Sequence, residues 1–153
     1  MNVKRVFLAL LTILYITICA HATVLDEIRK SFEKSVTDKQ LCLLMISKLN
    51  ATKENPVHLA YLGGFEAVMA NHLVNPLSKL QIFTRGKKKI EMAVKYEPNN
   101  VEIRLIRLTI QMNCPAFLGY SSNIEEDRKL IHEGYHNIES RLLQDMVTSI
   151  IGN

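Results

Sequence analysis

The chain has 153 residues, of which 48% are hydrophobic, and a formal net charge of +4. This length predicts one domain, and the small number of glycines and prolines favours a compact helical protein over a disordered one. A net charge of this size is too mild to imply a nucleic-acid partner, so we exclude a nucleic-acid-binding role.

The N-terminus has the three parts of a secretory signal peptide. Lys4 and Arg5 form a positive region, an uncharged apolar run follows, and Ala20-His21-Ala22 supplies the small residues of a cleavage site. We therefore predict a signal peptide over residues 1–22 that is cleaved near its end. Residues 23–153 are expected to form one domain, exported to the periplasm or the extracellular space.

Two alternatives to this secretory signal remain open, an uncleaved membrane anchor and a lipoprotein signal. The apolar run of about 15 residues is short for a membrane span of roughly 20, but an uncleaved signal is the one route to a membrane that the sequence offers. Cys19 ends the run as in a lipoprotein signal, although Ile16-Thr17-Ile18 places a bulky residue where such signals carry a small one. Cleavage would lower the count of basic residues from 19 to 17 against 15 acidic residues, for a net charge of about +2.

Two cysteines and one glycosylation sequon follow the signal. Cys42 lies in an apolar segment and is interpreted as a buried thiol, whereas Cys114 precedes Pro115 in a loop. An exported chain allows the two to form a disulfide, and two unreactive thiols are the other interpretation. Asn50-Ala51-Thr52 is a sequon that matters only in a host that glycosylates.

Apolar residues after the signal recur at helical spacing, which predicts an all-α fold. Asp38 is placed to cap the second helix, Pro56 suits the first turn of the third, and Asn75-Pro76 precedes a fourth over about Leu77 to Tyr96. The residues expected to form the apolar faces of these four helices are, in chain order, Val24, Ile28, Phe32, Leu41, Leu44, Met45, Leu49, Leu59, Leu62, Val68, Met69, Leu73, Leu80, Phe83, Ile90, Ala93 and Val94.

Further helices are predicted in the second half, for about six to seven in an antiparallel helix-turn-helix stack. After a turn at Glu97-Pro98-Asn99-Asn100, the segment Val101 to Met112 should be the central, most buried helix. Ser122-x-x-Glu125 has the form of a capping box for the next helix, which Gly134 weakens near its end. A last helix over about Ile138 to Ile151 is expected to pack through Ile138, Leu142, Met146 and Ile150.

Part of this stack resembles the tetratricopeptide repeat, a helix-turn-helix unit of about 34 residues. The segment Ala93 to Glu102 is similar to the end of one unit and the start of the next. Small residues in such units let paired helices approach closely, and a proline ends the second helix. The residues that carry the resemblance are Leu62, Gly63, Gly86, Ile90, Ala93 and Pro98.

The resemblance covers Val57 to Met112 and departs from the family in two places. About ten extra residues lie around Asn75-Pro76, and Arg107-Leu108 stands where the next unit has its Leu-Gly pair. The rest of the chain is similar to small exported helical proteins of bacteria that have no assigned activity.

Tetratricopeptide proteins bind peptides or partner proteins in a concave groove lined by first helices. Some members bind the C-terminal carboxylate of a peptide through basic residues in this groove. The matching positions here include no basic residue, so this mode of binding is not expected. What remains is a small apolar groove or one filled by the chain's own ends. The groove residues that the resemblance implies are Val57, Ala60, Gly64, Ala67, Glu102, Leu105, Thr109 and Met112.

The stretch His132-Glu133-Gly134-Tyr135-His136 matches H-E-x-x-H, in which two histidines bind zinc and the glutamate acts as base. Gly134 interrupts the helix that would align His132 with His136. A catalytic site also needs a third protein ligand, and the acids that follow, Glu139 and Asp145, lie too close in sequence. We interpret the two histidines as partly exposed residues at a helix end, and a zinc-dependent hydrolase with Glu133 as base is the alternative.

Arg104, Arg107 and Gln111 form a polar stripe on the apolar fifth helix. A buried arginine needs a carboxylate partner, which Asp127, Glu125 or Glu126 can supply if the next helix packs alongside. The stripe therefore predicts a structural network of Arg104, Arg107, Gln111 and Asp127, and an anion-binding pair is the functional alternative.

Two further segments can contact partners. Arg85-Gly-Lys87-Lys88-Lys89 is interpreted as a solvated helix face, with contact to an anionic surface as the alternative. Phe117-Leu-Gly-Tyr120 is expected to fold onto the core, whereas an exposed version would be a partner-binding patch.

These patterns together predict an exported all-α protein that binds an unknown protein or peptide without catalysis and without a cofactor. The second hypothesis is the zinc hydrolase, and the third is a stable subunit of a larger envelope assembly.

Overall fold

A computed structural model describes residues 24–51 and 55–152, and within these ranges all regular structure is helical. The prediction of an all-α stack of about six to seven helices is confirmed there. The described part of the chain has seven α-helices: α1 takes in residues 24–34, followed by α2 (Lys39–Asn50), α3 (Pro56–Met69), α4 (Pro76–Tyr96), α5 (Val101–Asn113), α6 (Ile124–Gly134) and α7 (Arg141–Ile151).

Some predictions fall on other residues. The signal peptide, its cleavage site and Cys19 lie outside the described residues, as does Thr52 of the sequon. Asn50 is the exposed last residue of α2. No described helix is long and apolar enough to cross a membrane.

Side-chain caps set the starts of most helices. Asp38 accepts the backbone N–H of Leu41 at 2.9 Å, as predicted. Asn55, Asn75 and Asn100 cap α3, α4 and α5 in the same way, and Pro56 and Pro76 occupy first turns, where a missing N–H leaves no bond unmade. The capping box predicted from Ser122 is wrong, because α6 begins after Asn123 with no side-chain cap.

The α3–α4 hairpin is the tightest contact in the fold. Gly63 and Gly86 face each other, and a Cβ added to Gly63 would lie 2.5 Å from the carbonyl oxygen of Gly86. Without side chains at these points the two backbones come close enough to bury α3 along most of its length. The small residues noted in the sequence at 63 and 86 therefore act at a helix crossing.

α5 joins two hydrophobic clusters. Ile103 and Ile106 pack with residues of α1 to α4, whereas Leu105 and Leu108 pack with Ile131 of α6 and with the C-terminal segment. α5 is central, as predicted, but not the most buried helix, because α3 has ten buried residues and α5 has nine.

Several predicted apolar faces are displaced. Leu44 and Leu80 are 57% and 49% exposed, so neither belongs to the core. α7 begins at Arg141, which places the buried Ile138 before the helix. The residues that α7 buries are Leu143 and Val147, whereas the predicted Leu142, Met146 and Ile150 are only partly buried.

Candidate functional site: a groove along α4

The H-E-x-x-H segment is split by the end of a helix. α6 ends at Gly134, and His136 lies in a separate 3-10 turn, Tyr135–Asn137. A Cβ on Gly134 would collide with Cγ2 of Val101, so this glycine lets the end of α6 pack on the start of α5. Its role is therefore in helix packing.

His132, Glu133 and His136 are all exposed. Glu133 lies 4.0 Å from the ammonium group of Lys129. Within residues 24–51 and 55–152, no group of three or more His, Cys, Asp or Glu side chains is placed to hold a metal ion. The zinc-hydrolase alternative thus has no assembled set of ligands in this part of the chain.

The predicted arginine network forms around one buried carboxylate. Asp127 is fully buried and accepts from Arg107 Nε and Nη2 at 2.7 and 2.6 Å and from Arg104 Nη1 at 2.8 Å. Burial lowers the pKa of Arg107, but the hydrogen bonds and charge of Asp127, with Glu91, outweigh burial and raise it above the ordinary value. These pairs lock α5 to α6, which is the structural role expected of them.

Gln111 does not join this network. Its side chain is buried, and neither its Nε2 nor its Oε1 has a hydrogen-bond partner in the described structure. The stripe of three polar residues predicted on α5 therefore consists of two ion-paired arginines and a separate amide.

A second buried ion pair joins α1 to α5 and was not predicted. Arg29 binds Glu102 through two bonds, Nε–Oε1 at 2.8 Å and Nη2–Oε2 at 2.7 Å, and the hydroxyl of Tyr61 donates to Oε1 at 2.8 Å. Burial lowers the pKa of Arg29, but Glu102 raises it by more. Glu102, a lone acid in an apolar helix, was the signal that a cation had to meet it.

The partner groove implied by the repeat resemblance is not an open surface. A Cβ on Gly64 would meet Phe32 of α1 at 2.7 Å, so α1 covers this point, and Ala67 lies beside α4. Leu105 is buried against α6 and α7. Of the implied residues, Ala60, Gly64, Ala67, Glu102 and Leu105 are buried, Val57 and Thr109 are partly buried, and Met112 is 42% exposed.

An open groove instead runs along the outer face of α4. It has a volume of about 560 Å³, and Leu118 from the loop between α5 and α6 forms its far wall. Phe117, which precedes Leu118 in the chain, is 86% exposed, whereas Tyr120 is buried in the core and Leu118 packs against it. The prediction that this loop segment folds onto the core is therefore confirmed for Leu118 and Tyr120 and wrong for Phe117. The residues that line the groove are Leu80, Phe83, Thr84, Lys87, Lys88, Glu91, Met92, Lys95 and Leu118.

The charge of this α4 groove is positive. Glu91, its one described acidic residue, accepts the hydroxyl of Tyr120 at 2.6 Å and Nη1 of Arg107 at 3.2 Å. Lys87 lies 4.6 Å above the ring of Tyr120. Burial, and then Glu91, raises the pKa of Tyr120, so this hydroxyl stays protonated and keeps Glu91 in place.

The basic run of α4 divides between two sides of the helix. Arg85 and Lys89 reach the buried carboxylate of Glu66 at 3.0 and 2.6 Å, on the side of α3. Lys88 and Lys95 line the groove and form no ion pair with any residue that the structure describes. The interpretation of this run as a solvated helix face fits the exposed Arg85 and Lys88, whereas Lys89 is only partly exposed and is ion-paired with Glu66.

Cys42 and Cys114, the cysteines that the structure describes, are free thiols and do not form a disulfide with each other. Cys42 is fully buried and donates to the carbonyl oxygen of Phe65 at 3.3 Å. Burial raises the pKa of Cys42 to about 11 and also raises the pKa of Cys114. Both are therefore weak nucleophiles near neutral pH.

No protein-family model, no curated protein and no solved structure matches the chain.

Proposed function

We propose that this protein binds a partner protein or peptide without catalysis and that the α4 groove is its binding site. The observation that carries the proposal is a concave apolar surface on α4 that Leu118 also lines, with the highly exposed Phe117 as the neighbour of Leu118 in the chain. Clusters of exposed apolar side chains rimmed by polar ones are typical of interaction sites in soluble proteins. Further exposed apolar residues of α4 are Leu77, Leu80, Met92 and Tyr96.

The polar groups of the groove support binding over catalysis. Glu91 is held by Tyr120 and Arg107, and the remaining polar side chains in the lining are a threonine and lysines. Such a set suits apolar contact with charge pairing at the rim.

Export and kinship with tetratricopeptide repeats remain part of the proposal. The helical pairs α3–α4 and α5–α6 follow each other as antiparallel hairpins, with Gly63 and Gly86 at the crossing of the first. This order supports a degenerate repeat stack in which α1 occupies the inner face. The binding surface is then the outer face of α4 and not the inner groove. The full-length chain would act outside the cytoplasm after removal of residues 1–22.

A photo-crosslinking amino acid at position 117, in the full chain expressed in its source cells, tests the proposal. We expect a discrete adduct that is lost when Leu80→Ser is added. The matched control carries the same amino acid at position 44, an exposed leucine of α2. Adducts that form equally from both positions, or that survive Leu80→Ser, would overturn the assignment of the groove.

A further inference from the structure

We infer that the segment held in the α4 groove is an acidic amphipathic α-helix of a partner protein. Its apolar face would lie on Leu80, Met92 and Leu118, and its carboxylates would pair with Lys88 and Lys95. This inference rests on the proposed function and specifies the chemistry of the partner.

The length of the groove fits a helix. Its lining on α4 extends from Leu80 to Lys95, which at 1.5 Å per residue is roughly 22 Å or four helical turns. Helices that dock in apolar grooves present side chains at i, i+3, i+4 and i+7, and four turns provide such a set. The apolar side chains at both ends of the lining, Leu80 and Met92, can hold a partner helix along this length.

The charges of the groove favour an acidic occupant. Arg107 already compensates Glu91, so the lysines determine the local charge. Lys88 and Lys95 are seven residues apart, which places them on the same side of α4, two turns from each other. Carboxylates spaced two turns apart on a partner helix would meet both. Complementary charges of this kind select partners and speed their encounter more than they add affinity.

Two other occupants fit less well. The groove is concave, with Leu118 as a wall, whereas an anionic bilayer presents a broad surface. In a second copy of this chain, two of the three acids in the first turn of α6 are already engaged, since Glu126 bonds to Arg104 at 2.7 Å and Asp127 is buried.

The test is a displayed library of helical 18-residue peptides. Leucine and phenylalanine occupy the i, i+3, i+4 and i+7 positions, and every flanking position is varied among Glu, Gln and Lys. The full chain is the bait, and peptides that also bind Leu80→Ser/Phe117→Ser are discarded.

Circular dichroism confirms that each variant is folded. Affinities are then measured for Lys88→Gln/Lys95→Gln and for a matched control, Lys30→Gln/Lys34→Gln, which removes two exposed lysines of α1.

We expect the recovered flanks to be rich in Glu. The lysine variant should weaken binding by about 10-fold, the control should not change it, and added salt should weaken it further. Groove-dependent peptides whose flanks show no preference, or prefer Lys, would overturn the acidic partner and leave the proposed function standing. If no groove-dependent peptide emerges, the result contradicts both the acidic partner helix and the proposed function of the groove.

Two further measurements test whether a membrane surface or a second copy of the chain occupies the groove instead. Binding to vesicles with anionic phosphatidylglycerol, lost in Leu80→Ser/Phe117→Ser, would replace the partner helix with a membrane surface. A concentration-dependent dimer that the same substitutions abolish would replace it with a second copy of the chain.

Discussion

The ion cluster around Asp127 and the α4 groove differ in how completely their charged groups are paired. Around Asp127, two buried arginines and a carboxylate share hydrogen bonds of 2.6 to 2.8 Å. In the α4 groove, Lys88 and Lys95 lie beside exposed apolar side chains and form no ion pair with the described residues. The ion cluster around Asp127 holds α5 and α6 together, whereas the lysines of the α4 groove can pair with carboxylates of a partner.

This difference separates structural residues from candidate functional ones. Substitutions in the ion cluster around Asp127 should change the free energy of unfolding, and those in the groove should change binding alone.

The largest effect is expected from Asp127→Asn. Removal of its charge leaves Arg104 and Arg107 buried without their shared carboxylate, which should lower the free energy of unfolding by about 3–5 kcal/mol. The matched control is Glu126→Gln, whose side chain is 56% exposed and whose ion pair should contribute under about 1 kcal/mol. Urea unfolding measures both, and equal losses would contradict the structural role of Asp127.

Gly63→Ala should destabilise the α3–α4 hairpin. The new methyl group would lie 2.5 Å from a backbone carbonyl oxygen, and overpacking of this kind costs about 1–3 kcal/mol. Gln81→Ala, on the exposed side of α4, should change stability by no more than about 0.5 kcal/mol. A Gly63→Ala protein as stable as the wild type would show that the helices do not cross at this point.

Alkaline pH should weaken the core. The pKa of Cys42 is about 11 in the folded protein against an ordinary 9.0, so the folded state holds the proton more tightly. The resulting stability is present below about pH 9 and is lost as the pH rises towards 11, by about 1–2 kcal/mol between pH 8 and 10.5. The raised pKa values of Tyr61 and Tyr120 act in the same direction.

Thiol labelling tests the burial of Cys42, which is the cause of its raised pKa. In the native protein at pH 8, Cys114 should react with a thiol reagent before the fully buried Cys42, which should become reactive only on unfolding. Equal labelling rates for the two thiols would contradict the burial of Cys42.

The smallest change in stability is expected from Phe117→Ser. An 86% exposed ring makes little contact with the core, so the free energy of unfolding should stay within about 0.5 kcal/mol of the wild type. Binding to a groove-dependent peptide should nevertheless fall by about 3-fold, because contacts at the edge of an interface contribute less than those at its centre. A large loss of stability would place Phe117 among the structural residues.

The sequence predicted the all-α fold and the cap at Asp38, because helical periodicity and capping depend on neighbouring residues. It predicted the partners of Arg104 and Arg107 because a buried charge requires compensation. It missed the α4 groove, since Leu80 belongs to an apolar pattern that does not reveal which side of α4 is covered by α3. It also missed the pairing of Arg29 with Glu102, which are 73 positions apart.

The affinity of one groove-dependent peptide for Leu80→Ser and for Leu44→Ser decides whether the α4 groove is the binding surface. Both substitutions replace an exposed helical leucine with serine, one in the groove and one on α2. A loss of about 10-fold or more for Leu80→Ser, with no change for Leu44→Ser and similar unfolding free energies, is the predicted result. Equal affinities for the two variants would contradict the assignment of the α4 groove as the binding surface.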